Sequence, residues 1–160
     1  MVNEDLKVFF TRVTKTASSA LIQSFKVRGF ELSHLDCQGA LDKNHVPLPL
    51  FAEERPEFPL SDYYKFAFVR NPWDRILSAC IYSNDKGYSK AKFGRDIMLT
   101  EFLSAIETVP VWRQKYLMPQ SEFVKGSDFV GRFENLEEDF TKVQQSLGLA
   151  DVQLPFLNET

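Results

Sequence analysis

Three short apolar segments, each followed by a polar turn and a helical pattern, constrain the fold of this chain more than any other feature. They span residues 7–13, 64–70 and 128–133, and they are rich in residues that favour β-strands. Strands that alternate with helices favour a parallel sheet with helices packed on both faces. We therefore predict an α/β fold, and the length of 160 residues favours one domain over 1–160.

The segments that follow these strands have the spacing of amphipathic helices. Asn71 is predicted to cap a helix with Pro72 in its first turn. Asn135 and Glu138 predict a capping box for a later helix, which Gly148 ends. The predicted apolar stripes are Ala17, Leu21, Ile22 and Phe25; Trp73, Ile76, Leu77, Cys80 and Ile81; Leu99, Phe102, Leu103 and Ile106; and Leu136, Phe140, Val143 and Leu147.

The remaining segments are predicted to be mostly irregular. Residues 31–36 have the pattern of a second short strand, and residues 84–94 that of a polar loop. Prolines interrupt residues 44–59, so we expect a loop there with at most one short helix. The chain contains 15 phenylalanines, which predict an aromatic-rich core.

The charge balance argues against a nucleic-acid-binding protein. Nineteen basic and 22 acidic side chains give a net charge of −3, whereas such domains are usually strongly basic. Any anion site must therefore be local. Cys37 and Cys80 are too few for a disulfide framework and are predicted to be buried thiols. No signal-peptide pattern and no apolar run of roughly 20 residues is present, so we expect no membrane span in this chain.

Three turns are candidate binding sites, because ligands of parallel sheets lie beyond the carboxyl ends of the strands. The first carries Lys15, Thr16, Ser18 and Ser19; the second carries Arg70, with Ser78 two helical turns further on; the third carries Arg132. An ammonium, hydroxyls and a helix N-terminus suit a phosphate group. Each turn also has a structural alternative: a hydroxyl-capped helix, an ion pair of Arg70 with Asp74, and an ion pair of Arg132 with a glutamate. Three cationic turns at one edge of an acidic protein favour an anion site.

The first turn contains no glycine and is neither GxxxxGK[ST] nor GxGxxG. A Walker-type nucleoside triphosphatase is therefore disfavoured. A nucleotide or small-molecule kinase would need such a loop and a carboxylate for magnesium, so it remains only an alternative.

Four segments resemble carbohydrate sulfotransferases of the Golgi type and their bacterial relatives. Residues 65–79, KFAFVRNPWDRILSA, look like their 3′-phosphate-binding segment. Residues 12–19, RVTKTASS, resemble their 5′-phosphosulfate loop, especially in the heparan sulfate (uronosyl) 2-O-sulfotransferase branch. Residues 130–136 and 154–158 are similar to later family blocks. Thr14 stands where a proline is usual, and the sequence ends at Thr160, where the family normally continues.

The resemblance implies a three-layer fold related to nucleotide kinases and the donor 3′-phosphoadenosine 5′-phosphosulfate (PAPS), with PAP as the product. It assigns Lys15, Thr16, Ala17, Ser18 and Ser19 to the 5′-phosphosulfate, Arg70 and Ser78 to the 3′-phosphate, and Arg132 to the vicinity of the nucleotide. Lys15 would stabilise the charge that develops on the leaving oxygen. The scheme requires no metal, and no cluster of His, Cys and Asp has ligand spacing.

The acceptor implied by the resemblance is a hydroxyl group, most simply of a saccharide, and it needs a base. His45 matches the histidine that serves the 2-O-sulfotransferase branch as base, and a surface-loop histidine is the alternative. His34 is predicted to pack structurally, and Glu53, Glu54 and Asp74 are fallback bases.

Two further expectations concern turnover and location. A PAPS- or PAP-binding protein without turnover is the second alternative to the enzyme. A complete bacterial chain would be cytoplasmic, whereas a soluble piece of an anchored enzyme would lie in the Golgi lumen. The oligomeric state cannot be deduced from the sequence.

Overall fold

A mixed four-stranded sheet forms the centre of the computed structural model, which describes residues 1–40, 42–149 and 154. The strands are β1 (Val2–Asn3), β2 (Val8–Thr11), β3 (Tyr64–Val69) and β4 (Phe129–Arg132), in the order β1-β2-β3-β4. β2, β3 and β4 are parallel, with Phe10 opposite Phe66 and Phe66 opposite Phe129. The predicted parallel sheet is confirmed, and β1 adds an antiparallel edge strand.

Eight α-helices and three shorter helical turns connect the strands in the described ranges. The helices are α1 (Ser18–Lys26), α2 (Leu48–Glu54), α3 (Pro72–Asp85), α4 (Tyr88–Phe93), α5 (Leu99–Thr108), α6 (Pro110–Trp112), α7 (Gln120–Val124) and α8 (Leu136–Ser146). The 3₁₀ turns are Leu60–Asp62 and Phe133–Asn135, and Arg113–Leu117 forms a π-helical turn.

The core lies on both faces of the sheet because side chains alternate along each strand. Phe10 of β2 stacks on Phe66 at a ring distance of 4.7 Å, on the face that also buries residues of α1 and α8. Phe9 points to the opposite face and packs on Phe51 of α2 at 4.8 Å. Seven of the largest fully buried side chains are phenylalanines, so the aromatic-rich core is confirmed.

Helix α3 begins as predicted but buries a different face. The Trp73 amide donates to Asn71 Oδ1 at 3.0 Å, which makes Asn71 the N-cap. Trp73 is 79% exposed and Leu77 45%, so the predicted apolar stripe is wrong at these two positions. The buried residues of α3 are Arg75, Ser78, Ala79, Cys80 and Ser83. Polar side chains of α3 point inward because they have hydrogen-bond partners there. Arg75 binds the carbonyls of Lys115 and Tyr116, and Ser83 binds the Ser89 hydroxyl.

Three further predictions are corrected by the structure. Residues 31–36 form only a single bridge, Ser33 with Val2, because Leu32 alone is buried in that segment. The predicted polar loop at 84–94 contains α4, which Gly87 and Gly94 flank in left-handed conformations. The capping box of α8 is absent: Asn135 ends a 3₁₀ turn with φ −123° and ψ 36°, and its side chain makes no capping hydrogen bond. Gly148, with φ +66°, follows α8 as predicted.

Candidate functional site

A cavity of about 1280 Å³ opens at the carboxyl ends of β2 and β3. This volume exceeds the roughly 300–1,000 Å³ of most small-molecule pockets, so the cavity has room for two ligands. Its wall includes Arg12, Thr14, Lys15, Ala17, Ser18, Ser19, Asn44, His45, Arg70, Ser78, Tyr82, Lys86, Tyr88, Trp112, Lys115, Tyr116, Phe133, Glu137 and Leu154.

The first turn forms a concave loop of backbone amides. Lys15 and Ala17 both have left-handed φ, 64° and 61°, although neither is glycine. Thr16, between them, is fully buried and donates from Oγ1 to the Val13 carbonyl at 2.9 Å. Left-handed residues that interrupt a chain of amides build anion-binding concavities, and strained backbone of this kind clusters at functional sites. Helix α1 starts at Ser18, so its first N–H groups lack intrahelical acceptors at this point.

The Lys15 ammonium lies over the Tyr82 ring, 4.1 Å from its centroid. Burial lowers the pKa of Lys15, and the neighbouring Arg70 cation lowers it further. Asp85 acts in the opposite direction and raises this pKa, and a bound anion would add to that effect because it brings further negative charge close to Lys15.

Arg70 follows β3 and projects into the same cavity. Gln120 holds its backbone from both sides: the Arg70 amide donates to Oε1 at 3.0 Å, and Nε2 donates to the Arg70 carbonyl at 2.7 Å. The guanidinium stacks on Phe133 at 4.0 Å, and its buried Nε has no hydrogen-bond partner in the described ranges. None of the ion pairs among the described residues includes Arg70, and Asp74 is exposed, so the structural alternative of a pair between Arg70 and Asp74 or another local acid is wrong.

Serine and threonine hydroxyls surround these two cations. Ser78 of α3 is 3% exposed and lines the cavity with Ser18 and Ser19. The structure therefore brings the predicted residues of the first two turns together in one cavity wall, except Thr16, which is buried beneath the loop and does not line the cavity.

The third turn contributes Phe133 to the wall, whereas Arg132 is exposed and is not one of the lining residues among those described. The Arg132 amide donates to Asp139 Oδ2 at 2.8 Å. A nucleotide contact by Arg132 stays a prediction without geometric support.

His45 lines the cavity, and its Nδ1 lies 3.1 Å from the Arg12 carbonyl oxygen. Because a carbonyl only accepts, Nδ1 carries the proton and Nε2 keeps its lone pair. Burial lowers the pKa of His45 to about 4, with the Arg12 cation as the second cause. The imidazole is therefore neutral at pH 7.

The other candidate bases lie elsewhere. Glu53 and Asp74 are exposed, and Glu54 accepts a hydrogen bond from Cys37 Sγ at 3.1 Å. None of them lines the cavity in the described ranges. His34 is exposed, so the prediction that it packs is wrong.

A profile of the sulfotransferase family matches residues 1–160. This chain belongs to the sulfotransferase family.

The relatives of this sulfotransferase chain include carbohydrate sulfotransferase 14 from two vertebrates. The Danio rerio protein is 28% identical over 178 residues, covering 92% of this chain and 48% of that protein. The Mus musculus protein is 28% identical over 171 residues, covering 89% and 45%. An uncharacterized protein of Archaeoglobus fulgidus is 31% identical over 91 residues, covering 56% and 71%.

The chain spans about half the length of the vertebrate relatives it matches. The resemblance to carbohydrate sulfotransferases is confirmed, and the 2-O-sulfotransferase branch is not. No solved structure matches the chain significantly. In the family block 154–158, Leu154 is described; it is 8% exposed and lines the cavity, and the other four residues lie outside the described ranges.

Several cavity residues of this sulfotransferase were missed by sequence reasoning. Arg12, Lys86 and Lys115 add three cations to Lys15 and Arg70, whereas Glu137 is the one acidic residue in the described wall. Arg12 follows β2 as Arg70 follows β3, so the same reasoning would have found it. Nothing local in the sequence marks Lys115, which lies more than 100 positions from β2.

No group of three or more potential metal ligands occurs among the described residues. Within the same ranges, no helix combines the length and apolarity needed to cross a membrane.

Proposed function

We propose that this chain transfers the sulfuryl group of PAPS to a hydroxyl group of a carbohydrate acceptor. The observation that carries the proposal is the convergence of the first turn with Arg70, whose half-buried guanidinium donates to the Lys15 carbonyl at 3.5 Å and has no carboxylate partner among the described residues. Such a cation is costly to bury unless an anion completes it. Lys115 of the wall is paired with Asp42, and the other four cations, Arg12, Lys15, Arg70 and Lys86, suit a donor with two phosphate groups and a sulfate.

The donor is proposed to bind with its 5′-phosphosulfate on the Lys15–Ser19 loop. The 3′-phosphate would lie at Arg70 and Ser78, which project from β3 and α3 beside that loop. Two separate anion subsites distinguish PAPS from a nucleoside triphosphate, whose phosphates form one continuous chain.

The proposed chemistry is an in-line transfer. The acceptor oxygen forms a bond to sulfur while the bond from sulfur to the bridging oxygen of the 5′-phosphate breaks, and PAP leaves with that electron pair. Lys15 stabilises the charge that grows on the bridging oxygen. The hydroxyl proton goes to His45 Nε2, which the bond from Nδ1 to the Arg12 carbonyl leaves available.

The low pKa of His45 keeps the base form populated at neutral pH. The negative charge of a bound donor offsets the Arg12 cation and raises that pKa, which improves the driving force for proton removal. Donor binding would therefore prepare the base for the acceptor.

Aromatic side chains in the cavity wall support a carbohydrate acceptor. The wall includes Tyr82, Tyr88, Trp112 and Tyr116, and aromatic faces pack against the apolar faces of sugar rings. The vertebrate relatives are named as carbohydrate sulfotransferases.

The test combines ligand binding with a transfer assay. PAP should raise the melting temperature and ATP with magnesium should not; at 100 times the dissociation constant, PAP would add about 2.7 kcal/mol of stability. Sulfate transfer from PAPS to a panel of oligosaccharides should then be detected. Protection by ATP as strong as by PAP would favour the kinase, and PAP binding without transfer to any acceptor would favour the non-catalytic binding protein.

A further inference from the structure

A partly buried ion pair joins two segments on the side of the cavity that carries His45. Lys115 Nζ contacts Asp42 Oδ2, and the side chains are only 26% and 7% exposed. Exposed ion pairs contribute little, whereas breaking a buried pair strands a charge and is costly. The pair therefore couples the two segments through charge, and removing either partner would leave the other charge partly buried without its counter-ion.

On one side, Asp42 organises the turn that leads into His45. Its Oδ1 accepts from the Asn44 amide at 3.0 Å, and its carbonyl accepts from the His45 amide at 3.0 Å. The ring is then fixed by the 3.1 Å bond from Nδ1 to the Arg12 carbonyl. Both the backbone and the ring orientation of His45 depend on this turn.

On the other side, Lys115 lies in the π-helical turn Arg113–Leu117. Arg75, which is 3% exposed, donates to the carbonyls of Lys115 and Tyr116 at 3.1 and 2.8 Å. Single π-helical turns occur frequently at functional sites. A buried guanidinium that binds two successive carbonyls holds the backbone of this turn in place.

From these contacts we propose that Lys115 and Asp42 form a positioning pair for His45, with Arg75 as the anchor of Lys115. The proposal rests on the proposed function, in which His45 is the base. Burial and, second, the Arg12 cation lower the pKa of Lys115, so without the Asp42 charge the Lys115 ammonium faces Arg12 unopposed and moves away from the turn. The turn then relaxes, and the His45 ring loses its bond to the Arg12 carbonyl.

The test uses the imidazole tautomer, which needs neither donor nor acceptor. The chain has two histidines, so a His34→Gln background leaves His45 as the single imidazole. Long-range ¹H–¹⁵N spectra at pH 7 should show the Nδ1–H tautomer. Asp42→Asn, which keeps the Oδ1 acceptor, and Lys115→Met should each move at least half of the population to Nε2–H.

Two further variants separate positioning from a general loss of structure. Lys115→Arg keeps the charge and should retain the Nδ1–H tautomer. Asp96→Asn breaks the exposed Lys90–Asp96 pair and should change nothing. The double variant Asp42→Asn/Lys115→Met should shift the tautomer no further than either single change, because both remove one interaction.

Activity provides the second measurement. Asp42→Asn should lower turnover at least tenfold, and this loss should exceed any change in the dissociation constant of PAP, because Asp42 is not one of the described lining residues although its partner Lys115 is. An unchanged Nδ1–H tautomer in both Asp42→Asn and Lys115→Met would overturn the positioning pair. A shifted tautomer together with full turnover of His45→Ala would instead overturn the role of His45 as base and leave the positioning pair intact.

Discussion

The two sides of the cavity are built by different means. The donor side consists of turns that directly follow β2 and β3, so adjacent parallel strands fix its position. The base side consists of the Asp42–His45 turn and the π-helical turn, which side-chain contacts join across 73 positions of sequence. The donor side is thus defined by the backbone of the sheet, and the base side by a few polar contacts.

The largest effect should come from His45→Ala, which removes the base but no donor contact. Turnover should fall about 10²–10⁴-fold while the affinity for PAP stays nearly constant. Steady-state kinetics and calorimetry on the same preparation measure both quantities. Lost PAP binding would place His45 on the donor side and remove the contrast between the two sides.

Lys15→Ala should lower turnover about 10²–10³-fold, because the charge on the leaving oxygen loses its nearest cation. Lys86→Ala is the matched control: Lys86 lines the same cavity, and its Nζ lies 5.8 Å from the centroid of the same Tyr82 ring. Its effect on turnover should be much smaller. Equal losses for both lysines would show that only the summed charge of the cavity matters.

Arg70→Ala should weaken PAP about ten- to hundredfold, since a charge-assisted contact to phosphate is worth roughly 1.5–3 kcal/mol. Adenosine 5′-phosphosulfate, which lacks the 3′-phosphate, should lose far less affinity. Arg132→Ala, whose side chain is exposed and absent from the described wall, is the control and should leave both affinities unchanged. If the two nucleotides lose affinity equally, Arg70 acts through the fold.

The last effect concerns not turnover or affinity but the stability of the fold against pH. The pKa of His45 is lowered to about 4 in the folded chain, so the unfolded chain binds the extra proton first as the pH falls. The free energy of unfolding should therefore decrease between pH 6.5 and 4, by up to about 1.4 kcal/mol per pH unit.

Urea unfolding of the parent and of His45→Gln across this range isolates that contribution, because the carboxylates titrate in both. Identical slopes for the two proteins would mean that His45 is exposed in solution and that the contacts of the base side do not persist.

The difference between the donor side and the base side also explains which features the sequence could predict. The strands, the Asn71 cap and the cations at the strand ends follow from local patterns, so Lys15 and Arg70 could be placed in one cavity in advance. The Lys115–Asp42 contact follows from tertiary packing, which no local pattern encodes. Helix α3 also shows that tertiary contacts override a local pattern. The apolar spacing predicted that Trp73 is buried, whereas Arg75 is buried instead because its guanidinium donates to two backbone carbonyls.

The separation of the donor side from the base side has a consequence for the release of PAP. All proposed phosphate contacts of the donor, including that of Lys15 with the bridging oxygen, involve atoms that PAP retains, because the bond that breaks joins that oxygen to sulfur. PAP should therefore leave slowly from a wall with five cations, and departure rather than bond breaking would limit the cycle. Salt screens such attraction, with a Debye length of about 8 Å at physiological ionic strength, so added salt would speed departure while slowing donor capture. The enzyme would then work fastest at an intermediate ionic strength.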